Sequence, residues 1–356
     1  MKIAIAAEIA PAKTFIPILE KLDAEVIGLT HGDGASELLE EFCSSIYSIG
    51  QGRGKEAQKR SNFKIAWLVL KDIFKAVGSL RGHDIDLLLT CGNAGDVRKG
   101  IAAAKILGIP NLHIEQDIYN PIEMIAYSNL VTVPSKQYKN LVEERYGLVN
   151  VRVIGGYPQA SYIKKTALHN VEQIKNMYNA DDFLLMVLGG DVKSEDLPEI
   201  IKTLENLHEN ILIAPYRFDK DHVLNLVKSP QLKVLDGFVD LLPIMNASSG
   251  MIYGAGMGLT IEAGAMEIPS IKLAGFHSQH ASMDLAYKLG IPVVVVEDIP
   301  DALENLKKPR GQWLIDSGEK AVSNVVELIN NFDNEKSRSS GFSSMRKIWK
   351  ERSKFR

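Results

Sequence analysis

YGAGMGLTIEAGAMEIPSIKLAGFHSQHASMDLAYKLG, residues Tyr253–Gly290, carries the strongest indication of the fold. It follows an apolar run, SSGMIY, that is typical of a buried strand, and it continues through a small-residue turn into a helix that carries Glu262. A second strand, PSIKLAG, leads to a second helix that opens on HSQH. Glycines at a strand-to-helix turn let the backbone approach a ligand, and the helix start offers N–H groups to an anion. The pattern is typical of a nucleotide site, or of plain tight packing.

Length and composition limit the classes of protein. A chain of 356 residues favours two domains, and 46% hydrophobic with 24% charged residues is ordinary for a globular protein. A net charge of −3 gives no nucleic-acid-binding signature. Two cysteines, Cys43 and Cys91, argue against a disulfide scaffold and favour a cytoplasmic location. No apolar run reaches the ~18 residues of a membrane span, and the start, MKIAIAAEIAPAK, resembles a first strand more than a signal peptide.

Short apolar runs alternate with longer helical patterns along the whole chain, which predicts α/β structure with parallel sheets and right-handed crossovers. Two sets of such runs predict two Rossmann-like domains, residues 1–157 and 158–335, divided near GGYPQASYIKK. A basic tail, residues 336–356, is expected to form a helix that packs back on the first domain and buries Ile348 and Trp349. Ligands bind at the carboxyl ends of such strands, so we expect the site in a cleft between the domains.

Polar turns follow two apolar runs of the first half. TCGNAGDVRKG offers Asn93, Asp96 and Arg98 near a helix start, where Asp96 is either a functional group or an N-cap. HIEQDIYNPIE offers three carboxylates that could act as general acid or base, or could form a solvated acidic loop; they are Glu115, Asp117 and Glu123. His113 and Glu115 share a strand face, but no further ligand accompanies them, so no metal site is expected.

Three features of the second half fit a bound diphosphate nucleotide, and each has a plain structural alternative. The Gly189-Gly190 turn is either a phosphate-binding turn or a flexible crossover. Arg217, at a strand end, is placed either to clamp a diphosphate or to face solvent. Phe238 is either a contact for a nucleobase or a core residue.

These residues together resemble the GT-B superfamily. LGGD, GFVDLLPIMNAS, YGAGMGLTIEAGAMEIPSIKL and HSQHASMDLAYKLG follow one another as the corresponding motifs do in the C-domain of family 28 glycosyltransferases, such as the enzyme that adds GlcNAc to the lipid-linked peptidoglycan precursor. The first half is similar to the non-hydrolysing UDP-GlcNAc 2-epimerases, since HIEQDIYNPIE resembles their H-x-E-A-G-L-R loop and the P-x-E that follows. It also looks like the H-E-Q-N loop of the transferases.

The chain departs from both patterns. Epimerases carry a G-D-T whose Asp is catalytic, and here the turn reads Gly92-Asn93-Ala94. Transferases carry a catalytic His in the first loop, where this chain has Thr14. The turn GAGMGLTIEA has one carboxylate fewer than the epimerase turn, and HSQHAS is transferase-like. The nucleotide site is therefore better supported than any catalytic base.

The resemblance implies a metal-independent glycosyltransferase that uses a UDP-sugar, UDP-GlcNAc or a relative, without a cofactor. Glu115 or Asp117 would deprotonate the acceptor hydroxyl, and Glu262 would hold the ribose. The other residues implied in donor binding are Gly189, Gly190, Arg217, Phe238, Gly256, Gly258, Thr260, Gln279 and His280. Two alternatives remain: a sugar-nucleotide 2-epimerase with Glu115 and Glu123 as acid and base, and a sugar-nucleotide-binding protein without catalysis.

The acceptor is not identified by the sequence. IGQGRGKEAQKRSNFK, residues 49–64, is rich in Lys and Arg, so it either binds an anionic or lipid-linked acceptor or forms a solvated loop. The resemblance leaves peripheral membrane contact and a homodimer open, and no nucleic-acid partner is expected.

Overall fold

The structure is a computed structural model that describes residues 1–50, 62–93, 95–166, 171–216, 218–236, 239–275, 279–332, 338–352 and 354, without the side chains of 33 and 62–65. The chain divides into two compact units. The first comprises Met1–Tyr162 together with Asp316–Arg356, and the second is Ile163–Ile315. Each unit contains its own parallel sheet.

The first unit is built on a seven-stranded sheet in the order β3-β2-β1-β4-β5-β6-β7. Its strands are β1 (Lys2–Ala6), β2 (Glu25–Thr30), β3 (Ser45–Ser48), β4 (Leu87–Cys91), β5 (Asn111–Ile114), β6 (Leu130–Val133) and β7 (Val151–Val153). All pairs are parallel, and Ile3 of β1 pairs with Val26 of β2 on one side and Leu87 of β4 on the other. The five inner strands are buried on both faces over nearly their whole length, as parallel sheets between helical layers require, whereas the edge strands β3 and β7 are partly exposed.

Helices connect these strands and cover the sheet. They are α1 (Ile9–Leu19), α2 (Asp33–Leu39), α3 (Asn62–Leu80), α4 (Gly95–Leu107) and α5 (Lys136–Tyr146), and a short 3-10 helix spans Glu123–Tyr127. The connection after β7 is α6 (Pro158–Lys165). α5 begins at the N-cap Ser135, whose hydroxyl accepts from the Tyr138 amide, and ends at Gly147 in the left-handed conformation.

The second unit is built on a six-stranded parallel sheet in the order β10-β9-β8-β11-β12-β13. Its strands are β8 (Leu184–Val187), β9 (Ile211–Ala214), β10 (Leu232–Val234), β11 (Gly250–Tyr253), β12 (Ser270–Leu273) and β13 (Val293–Val294). Its helices are α7 (Val171–Tyr178), α8 (Leu197–Glu205), α9 (Lys220–Leu226), α10 (Leu241–Ala247), α11 (Met257–Ala265), α12 (Ala281–Leu289) and α13 (Ile299–Glu304). The turns Ser194–Asp196 and Val296–Asp298 are 3-10 helices.

Strand order reverses once in each sheet, between β1 and β4 in the first and between β8 and β11 in the second. Such a switch point opens a crevice at the carboxyl ends of the strands, where open α/β sheets bind ligands. The predicted α/β class with two Rossmann-like sheets is confirmed.

The end of the chain returns to the first unit. α14 (Gln312–Asn330) begins in the second unit and continues in the first, and α15 (Phe342–Arg352) packs on α5 and on the 3-10 helix Glu123–Tyr127. Ile348 is fully buried there, as expected, but the expected burial of Trp349 is wrong, since that side chain is 63% exposed. Neighbouring residues of a helix lie about 100° apart, so burying Ile348 turns Trp349 outward.

Among the described residues, no helix combines the length and the apolar character needed to cross a membrane.

Candidate functional site

Two glycine-containing turns meet at the switch point of the second sheet. Gly189 follows β8, and Gly254 follows β11. A Cβ on Gly189 would lie 2.4 Å from the Ala255 Cβ, and a Cβ on Gly254 would lie 2.2 Å from Val192 Cγ2. Tight packing therefore requires these two glycines whether or not a ligand binds. Gly190 is different, because a Cβ there would meet nothing within 4 Å.

A buried lysine that the sequence analysis missed fastens the two turns together. Lys272, on β12, is fully buried and donates to Asp191 Oδ2 at 3.0 Å and to the Ala255 carbonyl at 2.5 Å. Its ammonium also lies 5.3 Å from the centre of the Tyr253 ring. The Asp191 amide in turn donates to the Gly254 carbonyl at 2.9 Å. These contacts hold the backbone of both turns in place.

Helix α11 starts from the second of these turns. Gly256 is its N-cap and has no side chain to cap the first N–H groups, which the helix's own carbonyls do not satisfy. Thr260 is buried, donates its hydroxyl hydrogen to the Gly256 carbonyl at 3.1 Å and accepts from the Tyr253 hydroxyl at 3.2 Å. Glu262, predicted to hold a ribose, lies one turn into the helix and is 5% exposed.

His280 lies against the same helix start. A Cβ on Gly256 would be 3.4 Å from the His280 Cε1 and 3.7 Å from its Nε2. The Ser282 amide donates to His280 Nδ1 at 3.1 Å, which makes that nitrogen an acceptor and places the ring hydrogen of a neutral imidazole on Nε2. The Nε2–H group of His280 therefore lies next to the backbone N–H groups at the start of α11. Gln279, beside it in sequence, is exposed.

Two predicted donor-binding residues, Arg217 and Phe238, lie outside the described residues, as do Ala94 and His277. Gly258 lies in the first turn of α11. Gly189, Gly256, Gly258 and His280 therefore lie around the switch point between β8 and β11.

At the edge of the first sheet, Glu115 is sealed inside the protein. Its side chain is 0% exposed, and Oε1 accepts from the amides of Gln116 and Asp117 at 2.9 and 2.8 Å. Oε2 lies 3.3 Å from His113 Nε2, and Nδ1 of that histidine lies 2.9 Å from the Thr90 hydroxyl. This network satisfies the carboxylate internally, as buried charged groups require.

Asp117 lies at the same edge and pairs with Asn93, whose Nδ2 donates to Asp117 Oδ2 at 3.0 Å. The Asn93 Oδ1 is buried and has no hydrogen-bond partner among the described residues. Thr14, which stands where transferases carry a histidine, is fully buried and accepts from Gln116 Nε2 at 3.3 Å.

Glu123 is held by two arginines. Arg98 donates from Nε and Nη2 to its two oxygens at 2.5 and 2.9 Å, and Arg352 of α15 donates from Nη1 at 3.1 Å. Burial alone would raise the pKa of Glu123, but the hydrogen bonds and charge of Arg98, with a smaller contribution from Arg352, outweigh it and lower the pKa. The predicted residues Arg98 and Glu123 are thus brought together as an ion pair.

A second cluster lies around the switch point of the first sheet. Both oxygens of Asp96 lie 2.7–2.8 Å from His31 Nδ1, and His31 Nε2 lies 3.7 Å from Glu8 Oε1. Lys99 Nζ lies 3.6 Å from Asp96 Oδ1 and 3.0 Å from Asp72 Oδ2. The hydrogen bond that His31 donates to Asp96 raises the pKa of His31 despite partial burial. Asp96 lies within the first turn of α4, where its carboxylate pairs with His31.

The sequence carried a partial signal for this cluster. His31 directly follows β2, Glu8 follows β1, and Asp96 follows β4, and the carboxyl ends of parallel strands share one edge. The turn HGDG is polar at this place, yet periodicity alone does not tell which neighbours its histidine meets.

The basic segment proposed to meet the acceptor lies largely outside the described residues. The helix that follows it, α3, exposes several large apolar side chains. They are Trp67, Leu68, Leu70 and Phe74.

No protein-family profile matches this chain, and no curated protein sequence matches it.

Solved structures do match. The UDP-GlcNAc 2-epimerase of Methanocaldococcus jannaschii, solved in complex with UDP-GlcNAc and UDP, is 18% identical with a TM-score of 0.67, over 93% of this chain and 100% of that one. The UDP-GlcNAc 2-epimerase of Neisseria meningitidis, bound to UDP-GlcNAc, is 15% identical with a TM-score of 0.68 over the same shares. MurG of Acinetobacter baumannii is 16% identical with a TM-score of 0.51, over 93% of this chain and 99% of that one.

These matches confirm the resemblance to both groups at the level of the fold. The chain has the two-sheet α/β fold of the UDP-GlcNAc 2-epimerases and of MurG, and the similarity extends over nearly its whole length.

Proposed function

We propose that this chain is an enzyme that binds a UDP-sugar, UDP-GlcNAc or a relative, and transfers the sugar to an acceptor hydroxyl. The observation that carries the proposal is the geometry at the second switch point: a helix start whose N-cap, Gly256, has no side chain, with the His280 imidazole beside it. The N–H groups there suit a diphosphate, which carries the negative charge of the leaving group during transfer. The fold is shared with proteins crystallised with UDP and UDP-GlcNAc, which supports the nucleotide.

Within this proposal, Glu262 accepts hydrogen bonds from the ribose hydroxyls. The carboxylate is one turn into α11, behind the helix start that would hold the diphosphate. At Gly190 a Cβ would meet nothing within 4 Å, so a phosphate or sugar can approach the backbone of this turn closely. Lys272 and Asp191 neutralise each other and keep the turn rigid, so they position the site without contacting the nucleotide.

A second candidate is 2-epimerisation of a UDP-sugar, because the two epimerases match this fold with TM-scores of 0.67 and 0.68, against 0.51 for MurG. Epimerisation needs an acid and a base that exchange protons with C2 of the sugar. The glutamates that the resemblance assigns to this work are Glu115, with a 0% exposed side chain, and Glu123, paired with two arginines. The contacts of these two glutamates favour structural roles, and they are the reason that we propose transfer first. The comparison of folds, taken alone, favours epimerisation.

Incubation with UDP-GlcNAc in D₂O separates the two reactions. An epimerase breaks the C2–H bond without any acceptor, so deuterium enters C2 of the recovered UDP-GlcNAc and the 2-epimer accumulates. A transferase leaves C2–H intact and releases UDP, slowly with water and faster with an alcohol acceptor. We expect UDP release without deuterium at C2. Deuterium incorporation without UDP release would show that the reaction is epimerisation and not transfer. If the protein did not bind UDP, both proposed reactions would be wrong.

A further inference from the structure

Three side chains with metal-ligating atoms converge at the carboxyl edge of the first sheet. They are Glu8, His31 and Asp96, whose oxygen and nitrogen atoms lie within 4.8 Å of one another. Glu8 follows β1, His31 follows β2, and Asp96 lies in the first turn of α4, at the switch point of the sheet. All three belong to the first unit, so one folded unit supplies the whole cluster.

The His31 ring is oriented by a buried carboxylate. Asp96 is 0% exposed, and its two oxygens lie 2.7 and 2.8 Å from His31 Nδ1. A carboxylate can only accept in this contact, so Nδ1 carries the hydrogen, and Nε2 of the neutral ring carries the lone pair. Such a carboxylate is the usual outer partner of a metal-binding histidine, because it fixes the tautomer and makes the ligating nitrogen more basic.

The other nitrogen of His31 lies near a second carboxylate, at a distance that a hydrogen bond does not explain. Nε2 is 3.7 Å from Glu8 Oε1, which is beyond hydrogen-bonding range. Two ligand atoms of one tetrahedral Zn²⁺, each ~2.0–2.2 Å from the metal, lie about 3.4 Å apart. The separation of these two atoms is therefore close to that of a pair of metal ligands, and a small movement of the Glu8 side chain completes it.

The Glu8 side chain is directed away from its own helix. Glu8 is the N-cap of α1, yet its side chain makes no capping hydrogen bond there. Its carboxylate instead accepts from the Gly95 amide at the start of α4, and a Cβ on Gly95 would lie 4.0 Å from Glu8 Oε1. The side chains of Glu8 and His31 are 39% and 17% exposed, so an ion can enter from solvent and water can complete its coordination.

The charges of the cluster favour a divalent cation. Glu8 and Asp96 each carry a negative charge, and a neutral His31 does not offset them. Lys99 also lies near, but its Nζ is 3.6 Å from Asp96 Oδ1 and only 3.0 Å from Asp72 Oδ2. Since Asp72 is the closer partner and neutralises Lys99, the two carboxylates of the cluster keep charges that one divalent ion would balance.

We propose that the first unit binds a divalent transition-metal ion of the Zn²⁺ type through His31 Nε2 and Glu8 Oε1, with Asp96 as the outer carboxylate that orients the histidine. A nitrogen ligand beside a carboxylate oxygen suits Zn²⁺ better than Mg²⁺ or Ca²⁺, which prefer oxygen ligands alone. Water fills the remaining coordination positions. This inference does not rest on the proposed function, because neither a nucleotide nor an acceptor takes part in it.

Isothermal titration calorimetry with ZnCl₂ tests the site on the full chain, without an affinity tag and after treatment with a chelator. We expect one Zn²⁺ per chain, and no competition from an excess of MgCl₂. Asp96→Asn should weaken Zn²⁺ binding by about 10–100-fold, the usual loss for an outer partner, and His31→Asn should weaken it more, because the ligating nitrogen is removed. The control is His222→Asn, an exposed histidine next to Asp221 in the second unit, which should bind Zn²⁺ as the wild type does.

Two further measurements do not depend on the folding of a buried-site variant. Glu8→Gln changes a partly exposed side chain, so it should melt as the wild type does and bind Zn²⁺ more weakly. Nitrogen-15 NMR of histidine-labelled wild type should show that Zn²⁺ shifts the Nε2 signal of His31 and leaves the hydrogen on Nδ1. Absence of stoichiometric Zn²⁺ binding, wild-type affinity in His31→Asn, or Zn²⁺ shifts confined to other histidines would each overturn the proposal.

Discussion

The carboxyl edges of the two sheets have the same strand topology and opposite chemistry. Around the switch between β8 and β11, the second unit presents glycine turns, a helix start and an imidazole N–H, and its only described buried ion pair there, Lys272 with Asp191, is neutral overall. Around the switch between β1 and β4, the first unit presents titratable side chains. His31 and Glu8 are partly exposed there, and Asp96 is buried. The first edge suits a cation, and the second suits an anion.

The first edge itself contains two kinds of carboxylate. Glu115 and Glu123 have every contact supplied by the protein, through backbone amides in one case and two guanidinium groups in the other. Glu8 is partly exposed. The presence of a carboxylate in a motif therefore does not indicate a catalytic role, whereas its partners and exposure do.

Removal of the Glu123 carboxylate should give the largest effect, on stability rather than on UDP binding. Glu123→Ala leaves Arg98 and Arg352 facing each other without a counter-charge, and breaking such a buried pair costs about 3–5 kcal/mol. Urea denaturation measures the loss. The control is Glu143→Ala, because the Glu143–Lys139 pair on α5 is one-third exposed and contributes at most about 0.5 kcal/mol.

The pH dependence of that effect follows from the lowered pKa of Glu123. The stabilisation is complete above the ordinary glutamate value and is lost as the pH falls through the lower, folded-state value. The difference between wild type and Glu123→Ala should thus be constant near neutral pH and shrink in acid. A difference that grew in acid would contradict a structural ion pair.

UDP should stabilise the protein against heat, whereas AMP should do so much less. AMP lacks the diphosphate that the helix start at Gly256 would bind, and it carries a purine. At a UDP concentration about 100 times the dissociation constant, the stabilisation should be about 2.7 kcal/mol. Differential scanning fluorimetry compares the melting temperatures with the two nucleotides. Equal increases with UDP and AMP, or no increase at millimolar UDP, would contradict UDP binding at the second edge.

Two adjacent glycines should differ in their tolerance of a methyl group. Gly189→Ala places a Cβ 2.4 Å from the Ala255 Cβ, and such overpacking costs about 1–3 kcal/mol. Gly190→Ala meets nothing within 4 Å, so its stability should be close to that of the wild type. Melting temperatures test the pair, and equal values for both variants would show that the turn relaxes. A loss of UDP affinity confined to Gly190→Ala would mark that glycine as the one close to the ligand.

The sequence predicted the architecture because the alternation of apolar runs and amphipathic helices is a local property of the chain. The apolar runs FLLMV, GMIY and PSIKL form the strands β8, β11 and β12. The GT-B resemblance also followed from short motifs in order along the chain.

Side-chain partners were not predicted, because they join residues that are distant in sequence. Arg352 reaches Glu123 across 229 residues, and His31 meets Asp96 across 65. Lys272 lies within an apolar strand, and its partners Asp191 and Ala255 lie 81 and 17 residues earlier in the sequence. Trp349 was expected to be buried with Ile348, but the last helix buries Ile348 and leaves Trp349 63% exposed.

The most direct test of the division between the two edges is UDP affinity measured by isothermal titration calorimetry on one variant from each. Glu262→Ala should weaken UDP binding by roughly 1.5–3 kcal/mol, the range for a hydrogen bond to a charged group. His31→Asn, at the first edge, should bind UDP as the wild type does. Unchanged affinity in Glu262→Ala together with a loss in His31→Asn would contradict the account, because the nucleotide would then belong to the first edge.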